Sequence, residues 1–176
     1  MSNKIHLVLG GSRSGKSSYA EKLAEEQERP VVYVATCRTE GLDEEMQTRV
    51  QAHQIGRPQD WITLENQFHF PDIVQRYKDS CILIDCLTLW IGNAMETLQD
   101  EAEINKQLED ACKSIQSLDV HVLIVSNELG MGLIPESRIG RQFKDLCGRA
   151  NQMIAAHADK VTFMIAGIPW QIKPER

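Results

Sequence analysis

The chain has no apolar run approaching the roughly 20 residues that a membrane-spanning helix needs, and no internal repeat, low-complexity tract or Ser/Gly linker. The N-terminal stretch MSNKIHLVLGGSRSGKS carries only a short apolar run before a Gly-rich turn and charges. That is too little for a signal peptide's apolar region and cleavage site. The five cysteines (Cys37, Cys81, Cys86, Cys112, Cys147) contain no C-x-x-C pair, and no His stands at zinc-finger spacing. An odd count without these spacings gives no sign of a disulfide framework or a zinc finger, and most of these thiols are expected to be small apolar fillers. Together these absences predict a soluble protein of a reducing cytoplasm. Basic residues are also in the minority, 19 Lys+Arg against 25 Asp+Glu for a net charge of −6 and a pI near 5.4. A general binder of nucleic acid or of an anionic membrane needs the opposite balance. A small anion held by a few local donors remains compatible with it.

What is present is ordinary globular composition, 42% hydrophobic and 25% charged. At 176 residues the chain reads as one domain, residues 1–176, able to bury roughly 70% of its unfolded surface without a staple. Near-continuous apolar runs at Ile5–Leu9, Val31–Ala35, Cys81–Ile84, Val120–Val125 and Val161–Ile165 suit strands covered on both faces. Between them Ser17–Glu28, Leu42–Gly56, Glu101–Leu118 and Arg138–His157 have helical period. In the last, Ile139, Phe143, Leu146, Ala150, Met153 and Ile154 fall on one stripe. The stretch Trp61–Asp79 has the weakest pattern, read as a short strand at Trp61–Glu65 and a helix from about Pro71. Strands alternating with helices imply an α/β fold with a mostly parallel, helix-covered sheet in three layers, and the Gly10–Ser17 segment, a phosphate-binding loop by its motif, makes it the P-loop type. Strand order does not follow from this pattern.

Gly10-Gly11-Ser12-Arg13-Ser14-Gly15-Lys16-Ser17 fits G-x-x-x-x-G-K-[ST], with an apolar strand before it and a helical pattern after it. In such a loop the glycines turn backbone N–H groups inward on phosphate oxygens, and the following helix directs its positive end at them. Lys16 would reach the β- and γ-phosphates as a point charge, and the Ser17 hydroxyl would be a Mg²⁺ ligand. The apolar strand Cys81–Ile84 followed by Asp85 supplies a Walker-B carboxylate for the same metal. An N-K-x-D motif is missing; Ser126-Asn127-Glu128-Leu129 stands at a comparable strand end without matching it. A nucleotide-triggered switch is therefore disfavoured, and nothing resembles a protein-kinase catalytic loop.

A second notable segment runs from Asp43 to Trp61. On a helix Arg49 and His53 stand at i and i+4, hence on one face, with Arg57 just beyond the helix end. A neutral imidazole between two guanidiniums is suited to attack a phosphorus atom, because the cations disfavour imidazolium and neutralise developing charge. Cations thus gather at Arg13, Lys16, Arg49 and Arg57, while the acid surplus spreads over helical stretches such as Ala20–Glu28 and Glu96–Asp110. His6 and His121, in apolar strands, and His157, near a helix end, read as structural.

Taken end to end, the chain resembles the bifunctional adenosylcobinamide kinase / adenosylcobinamide-phosphate guanylyltransferase family of cobalamin assembly. The resemblance rests on the Gly10–Ser17 block, on Arg49-Val50-x-x-His53 continuing to Arg57-Pro58-x-x-Trp61, on Asp85-Cys86-Leu87-Thr88-Leu89-Trp90, and on Ser126-Asn127-Glu128-Leu129-Gly130-Met131-Gly132-Leu133-Ile134-Pro135. It implies phosphorylation of the aminopropanol hydroxyl of adenosylcobinamide with ATP or GTP. A histidine is then guanylylated from GTP, and GMP passes to the cobinamide phosphate. Block matching makes His53 that histidine; some relatives carry an adjacent second His, where this chain has Ala52. The resemblance further implies nucleotide contacts at the P-loop, at Ala35, Thr36 and Cys37, at Gln54, Ile55, Gly56 and Arg57, at Glu65 and at Asp85. Asn127, Glu128 and Arg138 would line the corrinoid side, their other reading being loop capping after a strand. It also implies a homo-oligomer. Two rival readings of the residues stay open, a monofunctional small-molecule kinase with a structural His53 and a non-catalytic nucleotide-binding regulator.

Overall fold

The computed structural model describes residues 4–38, 43–65 and 69–174, apart from the side chains of Met46, Arg49, Ala52, His53 and Ile55. Along the chain it forms β1 (Ile5–Gly10), α1 (Lys16–Glu25), β2 (Val31–Ala35), α2 (Glu44–Ile55), β3 (Ile62–Glu65), α3 (Phe70–Arg76) and β4 (Cys81–Asp85). There follow α4 (Leu87–Thr97), α5 (Glu101–Ser117), β5 (His121–Asn127), α6 (Arg138–His157), β6 (Lys160–Ile165) and β7 (Ile168–Lys173). The strands join one seven-stranded sheet in the order β3-β2-β4-β5-β1-β6-β7. All neighbours are parallel except β6 and β7, which pair antiparallel.

Alternation along the strands divides the core into two layers. Ile5, Leu7, Leu9, Val32, Val34, Ile82, Ile84, Val122 and Ile124 meet the apolar stripes of α3, α4, α5 and α6. Val8, Val31, Tyr33, Cys81, Leu83, Leu123 and Val125 meet Ala20 and Ala24 of α1 on the other face. The small alanines let α1 lie close to the sheet, which sets the phosphate loop at its edge. Side chains start two of the long helices: Asp100 accepts from the N–H of Ala102 at 2.9 Å and Ser137 from that of Gly140 at 3.1 Å. Among the described residues no helix is long and apolar enough to cross a membrane.

Several expectations need correction. Helix α1 stops at Glu25 instead of Glu28, its end tightening as the Gln27 N–H donates to the Ala24 carbonyl three residues back at 3.1 Å. Helix α4 carried no recognisable period because it is buried widely, at Leu87, Thr88, Trp90, Ile91 and Ala94, where a striped pattern would mark a surface helix. Strand β7 contains Pro169, which argues against a strand in a sheet interior but is tolerated on an edge. Ile139, placed on the core stripe of the last helix, is 70% exposed. A 20-residue helix is roughly 30 Å long and a six-residue strand roughly 20 Å, so the first turns of α6 overhang the sheet.

Candidate active site

The parallel strands end along one edge, and their register brings the singled-out residues together there. Gly10 of β1 pairs with Asn127 of β5, while Ala35 of β2 pairs with Asp85 of β4 on one side and Glu65 of β3 on the other. β5 lies between β1 and β4, so the end of β5 separates the Gly-rich loop from Asp85. Ligands of open α/β sheets bind in the crevice outside these carboxyl ends.

The loop from Gly10 to Gly15 is shaped by positions only glycine fills well. A Cβ on Gly10 (φ +155°) would lie 2.6 Å from the Met164 carbonyl oxygen, and Gly15, the N-cap of α1, takes φ +88°. Arg13 is also left-handed, at φ 56°, so the loop mixes right- and left-handed residues in the manner of an anion-binding nest. Gly11, Ser12 and Arg13 are exposed, and Ser14 and Ser17 half-buried. Lys16 is 7% exposed; its ammonium donates to the Gly11 carbonyl at 2.5 Å and to Ser14 Oγ at 3.5 Å. Burial lowers the affinity of this amine for its proton, against the opposing pull of Cys86 and Asp85. The turn between β6 and β7 supports the loop, the Gly167 N–H donating to the Ser14 carbonyl at 3.1 Å.

Asp85 is held from β2. The Tyr33 hydroxyl donates to its Oδ2 at 2.7 Å. Burial first, and the neighbouring carboxylate second, push the phenol pKa upward, so it stays a donor. The Tyr33 ring is stacked with Trp61 at a centroid distance of 6.2 Å and an interplanar angle of 28°, and the Arg57 guanidinium lies 3.8 Å from the ring centroid. Among the described residues the Arg57 Nε is buried without a hydrogen-bond partner. Arg57-Pro58-x-x-Trp61 is thus a turn, with the Trp61 N–H donating to the Pro58 carbonyl at 3.2 Å, that wraps one aromatic side chain touching Asp85.

Thr36 is fully buried, and its hydroxyl donates to the Cys86 carbonyl and accepts from the Cys86 N–H, both at 2.7 Å. Its own carbonyl accepts from Asn93 Nδ2 at 2.8 Å. Ala35 and Cys37 are half-buried beside it, and burial raises the Cys37 thiol pKa, with Asp85 adding to the rise. At the end of α2 the Gln54 amide donates to Glu65 Oε1 at 2.9 Å, tying that helix to the end of β3. Arg49, His53 and Ile55 lie on α2, and their side chains lie outside the described residues; Gly56 is exposed just after the helix. An exposed ion pair of 3.9 Å links Arg13 to Glu45 of α2.

On the β5 side, the Glu128 N–H donates to the Gly10 carbonyl at 3.0 Å, while its carboxylate accepts from the Gly130 N–H at 2.7 Å. The Asn127 N–H donates to the Thr88 hydroxyl at 2.8 Å, and Arg138 is exposed at the start of α6. Glu128 therefore caps its own loop directly beside the Gly-rich turn. His6 is buried against the Thr162 hydroxyl at 2.8 Å, His121 opens β5, and His157 at the end of α6 pairs with Glu109 at 3.1 Å. His69 stands at the N-cap of α3, 3.0 Å from Asp72. Sequence reasoning missed Tyr33; a lone hydroxyl-bearing aromatic within the strand VVYVA was the available signal.

A Gly-rich loop joining β1 to the helix behind it, with an acidic end on the next strand but one across the sheet, defines a P-loop nucleotide-binding α/β protein. Solved structures share that fold. The KaiC-like protein PH0186 of Pyrococcus horikoshii OT3 matches with a TM-score of 0.52 at 18% identity, covering 92% of this chain and 70% of that one. An ATPase of the type III secretion system of pathogenic bacteria matches with a TM-score of 0.59 at 10% identity, covering 92% and 51%. Within that class the chain belongs to the family described as cobinamide kinase / cobinamide phosphate guanyltransferase, whose model matches residues 6–172. The bifunctional adenosylcobalamin biosynthesis protein CobU of Escherichia coli strain K12 is 35% identical over 181 residues, covering 95% of this chain and 98% of that protein. CobU of Salmonella typhimurium strain LT2 is 36% identical with the same coverage. The bifunctional adenosylcobalamin biosynthesis protein CobP of Pseudomonas aeruginosa strain PAO1 is 36% identical over 171 residues, covering 96% and 97%.

Proposed function

We propose that this chain phosphorylates adenosylcobinamide with ATP or GTP and then, through a guanylylated His53, converts the phosphate to adenosylcobinamide-GDP. The observation that carries this reading is the turn Arg57–Trp61 packed around Tyr33 against Asp85, because it joins the His53 segment to the carboxylate of the nucleotide edge. Membership of the kinase and guanyltransferase family supports both reactions. In the first, the substrate hydroxyl oxygen attacks the γ-phosphorus and gives its proton to solvent, the bond to the bridging oxygen breaks with the nucleoside diphosphate leaving, and Lys16 compensates the charge on the transferring group. In the second, a ring nitrogen of His53 bonds to the α-phosphorus of GTP and pyrophosphate leaves. A phosphate oxygen of adenosylcobinamide phosphate then displaces the imidazole, forming the new P–O bond as the P–N bond breaks. Gly10 to Ser17, Ala35 to Cys37, Gln54 to Arg57, Glu65 and Asp85 form the nucleotide site in this reading.

The donor set fits Mg²⁺. Among the described residues no group of three or more His, Cys, Asp or Glu stands together to cage a metal. Mg²⁺ suits such a site because it takes one or two protein oxygens and completes its shell with phosphates and water. The Ser17 hydroxyl and Asp85 Oδ1, the oxygen not engaged by Tyr33, would hold it. Bound there, the ion would draw charge from the phosphate oxygens.

The same reading takes residues 1–176 as one domain, supported by the single sheet that gathers every strand among the described residues. It takes the protein as a cytoplasmic homo-oligomer that binds neither nucleic acid nor membrane. Five free cysteines support the compartment, and exposed apolar side chains at Met131, Leu133, Ile134, Ile168 and Trp170 support self-association. Incubation with adenosylcobinamide, ATP, GTP and Mg²⁺, followed by mass spectrometry of the corrinoid, tests the function. The account requires a phosphate adduct and then a GDP adduct. A phosphate adduct alone leaves the monofunctional kinase, and an unchanged corrinoid leaves the nucleotide-binding regulator.

A further inference from the structure

We propose that Tyr33 is a positioning residue that couples the two halves of the site, setting the Asp85 carboxylate with its hydroxyl and the Arg57 guanidinium with its ring face. The inference rests on the proposed reading of Asp85 as a metal carboxylate and Arg57 as a nucleotide contact. It adds a residue with neither role. Tyr33 is 2% exposed, so it meets the nucleotide edge only through these two neighbours. Its place in the sheet is what allows both contacts. Tyr33 pairs with Leu83 and Ala35 with Asp85, so Tyr33 and Asp85 share a face and stand two residues apart along the strand direction. The phenol therefore reaches Oδ2 at 2.7 Å without leaving the core layer.

The ring also meets two residues of the Arg57–Trp61 turn. Trp61 stacks at 6.2 Å and the Arg57 guanidinium lies at 3.8 Å, a separation at which a cation is attracted to an aromatic face. Among the described residues the Arg57 Nε is buried yet unpartnered, so no hydrogen bond at that atom fixes the group, and the ring face is the contact that can. A buried donor left in that condition is costly and suits an anionic oxygen that arrives with substrate. One rigid side chain, itself locked by Trp61, thus sets the distance between a carboxylate and a cation from different sequence blocks. Removing the hydroxyl frees Asp85 alone; removing the ring frees both.

Three variants test this. Asp85→Asn calibrates the metal reading, Tyr33→Phe removes only the hydroxyl, and Tyr33→Leu removes hydroxyl and platform. Metal binding is read without turnover, from the electron paramagnetic resonance of free Mn²⁺ titrated into the protein with GDP. The guanylylation rate is read as a function of Mg²⁺ concentration, and urea unfolding checks each fold. Asp85→Asn must weaken Mn²⁺ binding. Tyr33→Phe is expected to weaken it about 10-fold, as for loss of one hydrogen bond to a charged group. Its half-saturating Mg²⁺ concentration should rise to match, with the rate recovering as Mg²⁺ is raised. Tyr33→Leu should show the same shift and a maximal GMP-labelling rate lowered 10-fold or more that Mg²⁺ does not restore. Should the leucine variant unfold, Trp61→Leu loosens the same stack and is expected to lower the maximal labelling rate in the same way. If Asp85→Asn weakens Mn²⁺ binding and Tyr33→Phe does not, the coupling is wrong. A normal maximal labelling rate in the folded ring-loosening variant also overturns it. If Asp85→Asn leaves metal binding intact, the reading of Asp85 falls, and the inference falls with it.

Discussion

Replacing Lys16 with methionine keeps the alkyl stem of a side chain that is 7% exposed and deletes only the ammonium. Two hydrogen bonds from a charged donor vanish, to the Gly11 carbonyl and to Ser14 Oγ, the shorter worth about 1.5–3 kcal/mol net and the 3.5 Å one less. Against that loss, the charge no longer has to be desolvated, and burial is the largest influence on this amine. The two effects offset, so the folded state should change by no more than about 1–2 kcal/mol. Transfer should change far more. A unit charge about 4 Å from a phosphoryl oxygen, at an effective permittivity of about 20, is worth about 4 kcal/mol. That is about a thousandfold in rate when the interaction is made with charge developing in the transition state. The assay is phosphate transfer from γ-labelled ATP to adenosylcobinamide, run beside urea unfolding of wild type and Lys16→Met. A variant with near-wild-type turnover refutes the role of Lys16. So does one whose stability loss alone accounts for the missing activity.

Two further outcomes follow from buried groups away from the transfer chemistry. His6 is 6% exposed, and burial, with smaller contributions from Lys160 and His121, lowers its pKa to about 4 from 6.5. Between those values the unfolded chain holds a proton that the folded chain refuses, so stability falls as pH drops from about 6.5 to about 4, by about 3 kcal/mol in full. His6→Gln should flatten that part of the pH–stability curve, and a curve parallel to wild type would contradict the assignment. The thiols of Cys81, Cys86, Cys112 and Cys147 are buried, and burial pushes each up to about 12; Cys37 is half-buried. A chromogenic disulfide reagent at neutral pH should titrate one thiol in the native protein and four more only on denaturation. Several thiols reacting at the rate of Cys37 would show that the core opens more readily than its packing implies.

Legibility in the sequence followed the range of the physics involved. The Gly10–Ser17 loop was readable because its requirements are local: left-handed positions for glycine, a strand before and a helix after. The five central strands were readable because burial on both faces leaves uninterrupted apolar runs. Helix α4 was not, since burial on most sides erases the stripe that marks a surface helix, and Pro169 concealed β7. Ile139 misled for the opposite reason, having the right period on a helix turn that no sheet reaches. The contact of Tyr33 with Asp85 depends on which strands are neighbours and in what register, and the crossovers that decide this leave no mark in the residue pattern. Arg57 with Trp61, and Asp85, stood out in two separate blocks, but the aromatic residue between them did not.

The central claim is that one nucleotide edge performs phosphoryl transfer and also carries GMP on His53. It is tested most directly by incubating the protein with α-labelled GTP and Mg²⁺ in the absence of corrinoid, then mapping the acid-labile label by peptide mass spectrometry. The account predicts one GMP per chain on the peptide containing His53, release of pyrophosphate, and no label in His53→Ala, which keeps transfer from γ-labelled ATP to adenosylcobinamide. Label persisting in His53→Ala, or mapping to another residue, would contradict it.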